Sequence, residues 1–169
     1  VKNEIISVLQ DRLAHQFTGD RLLFTASFEV DKHLSQKNRK QVAYNRRSGK
    51  PFIKQEPRSA QAKAFMVSEL RRQASHFSID KPFNAPMWLV CLFTFTDFFT
   101  KKGSIRKTLP DLSNLIQGPE DALEAAGIIA NDSLIHSYDL SRRLPGKANK
   151  VELFLLDLGD TPWIMPSSQ

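Results

Sequence analysis

The sequence predicts an α+β (or α/β) domain: a mixed β-sheet with two main helices packed on it, plus an N-terminal helix. Three observations predict it. Several stretches are continuously apolar or rich in β-favouring residues and end in turn chemistry, as strands do. Others repeat apolar residues every three or four positions, as amphipathic helices do. The two kinds interleave in the order strand, hairpin, helix, strand, helix, strand, strand. A length of 169 residues suits one domain with a real core. The expected organisation is a helical extension over 1–20, a domain over 21–158 and a tail over 159–169.

Residues 2–17 place Ile5, Val8, Leu9, Leu13 and Phe17 on one helical stripe, which predicts packing on the domain or on a second subunit. Thr18-Gly19-Asp20 ends that pattern, and Arg21–Val30 reads as a strand. Residues 31–58 carry nine Lys or Arg against two acids. Ser48-Gly49-Lys50-Pro51 supplies a turn between two extended runs, so the segment reads as a hairpin or long loop with basic walls. Tyr44 and Phe52 are either base-stacking or hairpin-packing residues, and packing is the expectation. His15 and His33 have no partners at ligand spacing and are expected at the surface.

Residues 59–77 form the clearest helix, with Ser59 as N-cap and Ala62, Phe65, Met66 and Leu70 on the buried face. Arg71 and Arg72 extend the basic surface or simply meet solvent. His76 near the end suits the helix dipole. A proline-bearing loop leads to Met87–Phe99, the most apolar run and therefore a central or nearly central strand. Trp88 is expected in the core, and Cys91 as a buried small hydrophobe. Thr100–Thr108 is a second basic loop. Ser133–Leu140 and Lys150–Leu158 read as paired strands joined by a basic, turn-rich loop from Ser141 to Lys147. Asp139 reads as a surface aspartate at the strand edge, and Trp163, Ile164 and Met165 suggest a docking tail.

The chain is organised around Leu109–Ile135, LPDLSNLIQGPEDALEAAGIIANDSLI. Leu115, Ile116, Ala122, Leu123 and Ala126 form an apolar helical face, with Ser113 the expected N-cap and Gly127 a C-terminal glycine. Gly118-Pro119 predicts a kink or a restart. Around this helix lie Asp111, Glu120, Asp121 and Asp132. So many carboxylates repel unless a cation, a base or water offsets them. One reading is a divalent-metal site, since hard oxygens suit Mg²⁺. The other is an ordinary solvated helix with acidic caps, which composition alone favours.

The runs PDLSNL, EDAL and AGIIANDSLI closely resemble the signature of the RusA-like Holliday junction resolvases. The resemblance is clear over Leu109–Asp139 and extends in outline from Arg21 to Leu158. It implies that Asp111 is the first catalytic carboxylate, that Asp132 is the second acid of the later pair, and that Asp121 is the aspartate of an Asp-Ala-Leu element. Three positions depart from the pattern. Ser113 stands where many members carry a second metal-ligand aspartate, Gln117 where they carry a lysine, and Asn131 where the acidic pair begins. Glu120, two helical turns after Ser113, is placed to restore a carboxylate, and Lys107 or a base from the basic segment is a candidate to replace the lysine.

The resemblance implies a homodimeric, Mg²⁺-dependent endodeoxyribonuclease (Mn²⁺ a possible substitute) that places two symmetric nicks in a four-way DNA junction. Asp111, Asp132 and Glu120 are then the metal ligands, with Asp121 a further catalytic candidate. A net charge of +6 and a pI near 9.6 agree with an anionic partner. The DNA-binding candidates are Lys37, Arg39, Lys40, Arg46, Arg47, Lys50, Lys54, Lys101, Lys102, Arg106, Lys107, Arg142 and Arg143.

A junction-binding protein that has lost cleavage is the rival reading, favoured by Ser113 and Gln117. An RNA- or flap-cutting nuclease on the same scaffold is a third. One cysteine excludes an internal disulfide framework. No zinc spacing, P-loop or Gly-rich dinucleotide turn is present. No stretch has the apolar length of a bilayer span and no signal peptide is visible. A cytoplasmic, nucleoid-associated protein of bacterial or phage type is expected, with no membrane partner. The start at Val1 rather than Met fits removal of an upstream segment.

Overall fold

A computed structural model describes residues 22–31, 40–55 and 57–159. The expected amphipathic segment 2–17 and the tail beyond residue 159 lie outside them. The fold is α+β. Strands β1 (Leu22–Glu29), β7 (Lys150–Asp157), β4 (Met87–Phe95) and β5 (Ile135–Ser137) are neighbours in that order, and β6 (Arg142–Pro145) also pairs with β4. Helices α1 (Pro57–Ala74) and α2 (Leu112–Ala126) pack on this five-stranded sheet and on each other. A separate hairpin joins β2 (Lys40–Tyr44) to β3 (Pro51–Gln55).

β4 is central because nearly every residue in it is apolar and must be covered on both faces. Met87, Leu89, Cys91 and Phe93 enter the main core beneath the helices. Trp88, Val90 and Leu92 alternate with them and form a smaller cluster with Leu156 and Leu158 on the other face. The Trp88 indole N–H donates to the Asp139 carbonyl at 2.9 Å, which satisfies its one polar atom. Cys91 is fully buried, and desolvation pushes its thiol well above the ordinary range, so it behaves as a hydrophobe.

β4 takes β7 antiparallel on one edge. On the other edge β5 pairs in parallel with its start, at Met87 and Trp88, and β6 in parallel with its end, from Leu92 to Phe95. The expected pairing of 133–140 with 150–158 is therefore corrected: β4 lies between them. A strand this apolar leaves no unpaired edge inside the core. The Ser141–Lys147 loop likewise contains a strand, β6, recruited by the free edge of β4.

Local signals account for most element ends. Gly127 adopts φ 77° at the end of α2, and the following Ile128 N–H bonds to the Leu123 carbonyl at 3.0 Å, closing a Schellman cap. Two expected N-caps move. α1 starts at Pro57, where proline suits a first helical position, and Ser59, 2% exposed, lies inside the first turn. α2 is capped by Asp111, not Ser113. Pro119 causes no restart: α2 runs unbroken through it. Burial of Leu115 and Ile116 before it, and of Ala122 and Leu123 after it, outweighs the one missing backbone donor. The basic hairpin forms as expected, its turn held by Asn45, whose side-chain oxygen accepts from the Arg47 N–H at 2.9 Å. Tyr44 does not pack it; at 67% exposure the ring stands in solvent.

The turn after β6 shows how tightly its packing is set. Gly146 donates to the Phe95 carbonyl at 3.0 Å, and a Cβ built there would lie 2.1 Å from Cγ2 of Thr94. Gly146→Ala is expected to cost about 1–3 kcal/mol. Adding Thr94→Ser, which deletes that methyl and keeps the hydroxyl, should recover most of the loss. Urea unfolding of the single and double variants measures both. An Ala variant as stable as the parent would contradict this packing.

Candidate active site

The acidic stretch spreads its carboxylates along and beyond α2. Asp111 is the N-cap residue, with φ −61° and ψ 141°, yet its side chain makes no cap bond. The Asn114 amide instead donates to its Oδ2 at 3.3 Å. The backbone before it is fixed by Arg143 of β6, whose Nη1 donates to the Pro110 carbonyl at 3.1 Å. The carboxylate is thus held at an exposed helix start, where the helix dipole favours negative charge.

Glu120 occupies the second half of α2 and is half-buried. The Tyr138 hydroxyl, just after β5, donates to its Oε1. Burial raises the pKa of Glu120 above the ordinary glutamate value. The hydrogen bond from Tyr138 opposes that rise, while the charges of Asp132 and Asp121 add to it. Tyr138 is itself pushed well up, first by burial and then by the carboxylate it serves. Asp132 opens a 3₁₀ turn over Asp132–Leu134 and is exposed. Asn131 caps this turn by accepting from the Ser133 N–H at 2.9 Å.

The sharp return after Gly127 therefore brings Glu120 and Asp132 into each other's field, and Tyr138 orients the first of them. Asp111 is not among the charges that act on Glu120. The helical span between the two is roughly 13 Å along the axis. Asp121 pairs with Lys63 of α1, Nζ to Oδ2 3.5 Å. Among the described residues, no three His, Cys, Asp or Glu side chains come close enough together to hold a metal ion. The site is a carboxylate pair with a phenol, and a third carboxylate stands apart at the helix start. Asp139 is exposed, as expected of a surface residue.

The cations fall into separate groups. Arg46, Arg47 and Lys50 are exposed around the β2–β3 turn. Lys101, Lys102 and Lys107 are exposed on the loop before α2. Arg106 is ion-paired with Asp97. Arg142 is exposed and bonds to the Leu140 carbonyl at 3.2 Å, while Arg143 is partly buried in its structural role. Lys40 and Lys54 lie on β2 and β3, and their side chains, like Lys37 and Arg39, are outside the described residues. Ser113 and Gln117 are exposed. Sequence reasoning missed Tyr138 and Asn114 as partners of the acids, and it read Arg143 as a DNA contact only. A lone tyrosine after a short strand carries no local sign that it will face a carboxylate.

Glu120 gives a pH prediction with a definite sign. Its folded pKa lies above the ordinary 4.5, so the folded protein holds this proton more tightly than the unfolded chain. The contribution is fully present below pH 4.5 and is lost as pH rises through the folded pKa. Glu120→Gln keeps an oxygen for Tyr138 and removes the charge. It is expected to raise Tm at pH 7 by about 1–3 °C, a gain kept small by solvent screening at a half-exposed group. The gain should vanish below pH 4 or so. A Tm difference that does not change with pH would show that the carboxylate carries no such penalty.

No protein-family model matches this chain, and no curated protein does. Among the described residues, no helix is long and apolar enough to cross a membrane.

Proposed function

We propose that this chain is a metal-dependent endodeoxyribonuclease that resolves four-way DNA junctions, acting as a homodimer through paired symmetric nicks. The observation that carries the reading is the Glu120 site: a half-buried carboxylate that takes a hydrogen bond from the Tyr138 hydroxyl and whose pKa is raised first by burial and further by the charges of Asp132 and Asp121, acids from distant and neighbouring parts of the chain. Such an arrangement is stabilised by a bound cation. The signature over Leu109–Asp139 and the net charge of +6 support the same reading.

The donors suit Mg²⁺, or Mn²⁺ in its place. A hard cation of that size takes one or two carboxylates from a protein and fills its shell with water and substrate phosphate. Glu120 and Asp132 would hold it, and Asp111 would meet the substrate from the helix start. Bound there, the metal supplies charge neutralisation and a water of lowered pKa. Tyr138 fixes the rotamer of Glu120, so the pair is pre-oriented. Arg143 fixes Pro110 and with it the entry to α2. Lys63 holds Asp121 toward α1, which favours Glu120 over Asp121 as the second ligand. Exposed lysines and arginines on the two basic loops grip the backbone, and the branched shape of the DNA, not base edges, gives selectivity. A two-fold dimer matches a two-fold substrate.

A second reading, junction binding without cleavage, is favoured by the separation of Asp111 from the Glu120–Asp132 pair and by Ser113 and Gln117. A cleavage assay on mobile four-way junctions, flaps, RNA and linear duplex, with Mg²⁺, Mn²⁺ or EDTA, decides. Paired nicks confined to junctions and dependent on metal are expected. Tight junction binding with no nick in any metal would establish the second reading. Cutting of flaps or RNA in preference to junctions would replace both.

A further inference from the structure

Directly after β4 the chain makes a small hairpin that carries two large apolar side chains into solvent. Phe99 and Ile105 face each other across an antiparallel bridge and are 51% and 59% exposed. Their support is rigid. The Thr100 N–H donates to the Ser104 carbonyl at 2.7 Å, and the Arg106 N–H to the Phe98 carbonyl at 3.0 Å. Gly103, at φ 80°, turns the tip and donates to the Thr100 carbonyl at 2.9 Å. Phe98 packs against the main core and meets the Phe99 ring edge-on, centroids 5.1 Å apart, so the exposed ring is braced from below. The Arg106–Asp97 ion pair closes the base.

A stiff protrusion that exposes paired apolar side chains contributes little to its own fold and marks a contact surface. The surrounding charge identifies the occupant. Lys101 and Lys102 are exposed at the tip and Lys107 just past its base, and the one acid between 97 and 107 is Asp97, already paired with Arg106. An apolar edge ringed by lysines suits a polyanion that also offers apolar faces. Nucleic acid does so where base pairs lose a stacking neighbour, as at a branch point.

We propose that Phe99 and Ile105 form a wedge that enters the branch point of a four-way junction and stacks on the base pairs exposed there. Lys101, Lys102 and Lys107 hold the flanking phosphates. Apolar wedges between base steps are an established way to bind distorted DNA. The wedge rests on the junction reading above. It adds how a protein of this kind distinguishes a branch from a continuous duplex, and it places the crossover a few residues in sequence from Asp111.

The test uses the whole chain in EDTA, with 2-aminopurine at the branch point of a four-way junction and at a matched position in linear duplex. Binding of the parent protein should raise the junction fluorescence severalfold and leave the duplex signal unchanged. The double variant Phe99→Ser with Ile105→Ser should lose that rise and bind the junction about 10- to 100-fold more weakly. Its duplex affinity should stay within about twofold, since its phosphate contacts are intact. Phe99→Trp keeps a stacking ring, so it should bind like the parent and show tryptophan quenching on the junction only. If the parent prefers the junction, and the double variant binds it equally well with the same fluorescence rise, the wedge is wrong and the junction reading stands. If the parent shows no junction preference, the junction reading fails and the wedge with it. If sedimentation shows that the double variant changes the subunit number, the tip is a contact between copies and the proposal is overturned.

Discussion

Asp132→Asn is expected to lower junction cutting by about 10²–10³-fold or more while leaving junction binding unchanged or tighter. The loss has the scale of removing one group that stabilises charge at a reacting phosphate, or one ligand of the ion that does so. Binding does not fall, because the substitution deletes a negative charge beside DNA and leaves every cation in place. Glu120→Gln should lose cutting to a similar degree, and it gains stability at neutral pH, the opposite of what a structural role would give. Under the proposed function Asp111→Asn is expected to lower cutting as well, since Asp111 would meet the substrate from the exposed start of α2. Single-turnover nicking assays at saturating Mg²⁺, beside gel-shift affinities in EDTA, measure the two effects separately. If Asp111→Asn and Asp132→Asn both cut like the parent, the site lies elsewhere.

Replacing Arg46, Arg47 and Lys50 together by Gln should weaken junction binding by about 10²–10³-fold near 0.1 M salt. Each phosphate contact releases about one counterion, so the slope of log K against log salt should become shallower by roughly 3. These residues are exposed around the β2–β3 turn, so thermal stability should not move. Affinity measured from 50 to 300 mM NaCl gives both numbers. An unchanged slope would remove the hairpin from the DNA-binding surface and leave the cations beside α2 to carry it.

Much of the fold was legible because its signals are local. The period of two in Phe24, Ala26 and Phe28, the unbroken apolar run from Met87 and the helical spacing of Leu115, Ile116, Ala122 and Leu123 each name an element from a short window. Gly127 and the Asn45–Lys50 turn name two of the ends. β6 was not legible. Arg142–Pro145 has no apolar alternation, and it is a strand because the end of β4 offers an edge to pair with. The expected pairing of the last two strands failed for the same reason, since partner choice depends on which edges the whole sheet leaves open. Tyr44 was expected to pack its hairpin and instead stands exposed.

The sequence by itself determined the kinds of most elements, β6 excepted, together with the excess of basic residues and the positions of the acids along the chain. Each of these is set by residue type and spacing within a turn or two of chain. Only the tertiary structure decided that Glu120 accepts from Tyr138 and lies in the field of Asp132, that Asp121 pairs with Lys63, and that Arg143 holds the Pro110 carbonyl beside Asp111. Those contacts follow from the packing of α1 on α2, from the return of the chain after Gly127 and from β5 and β6 adding to one edge of β4. They are long-range consequences of burying β4 and pairing its backbone, and no local window of residues contains them.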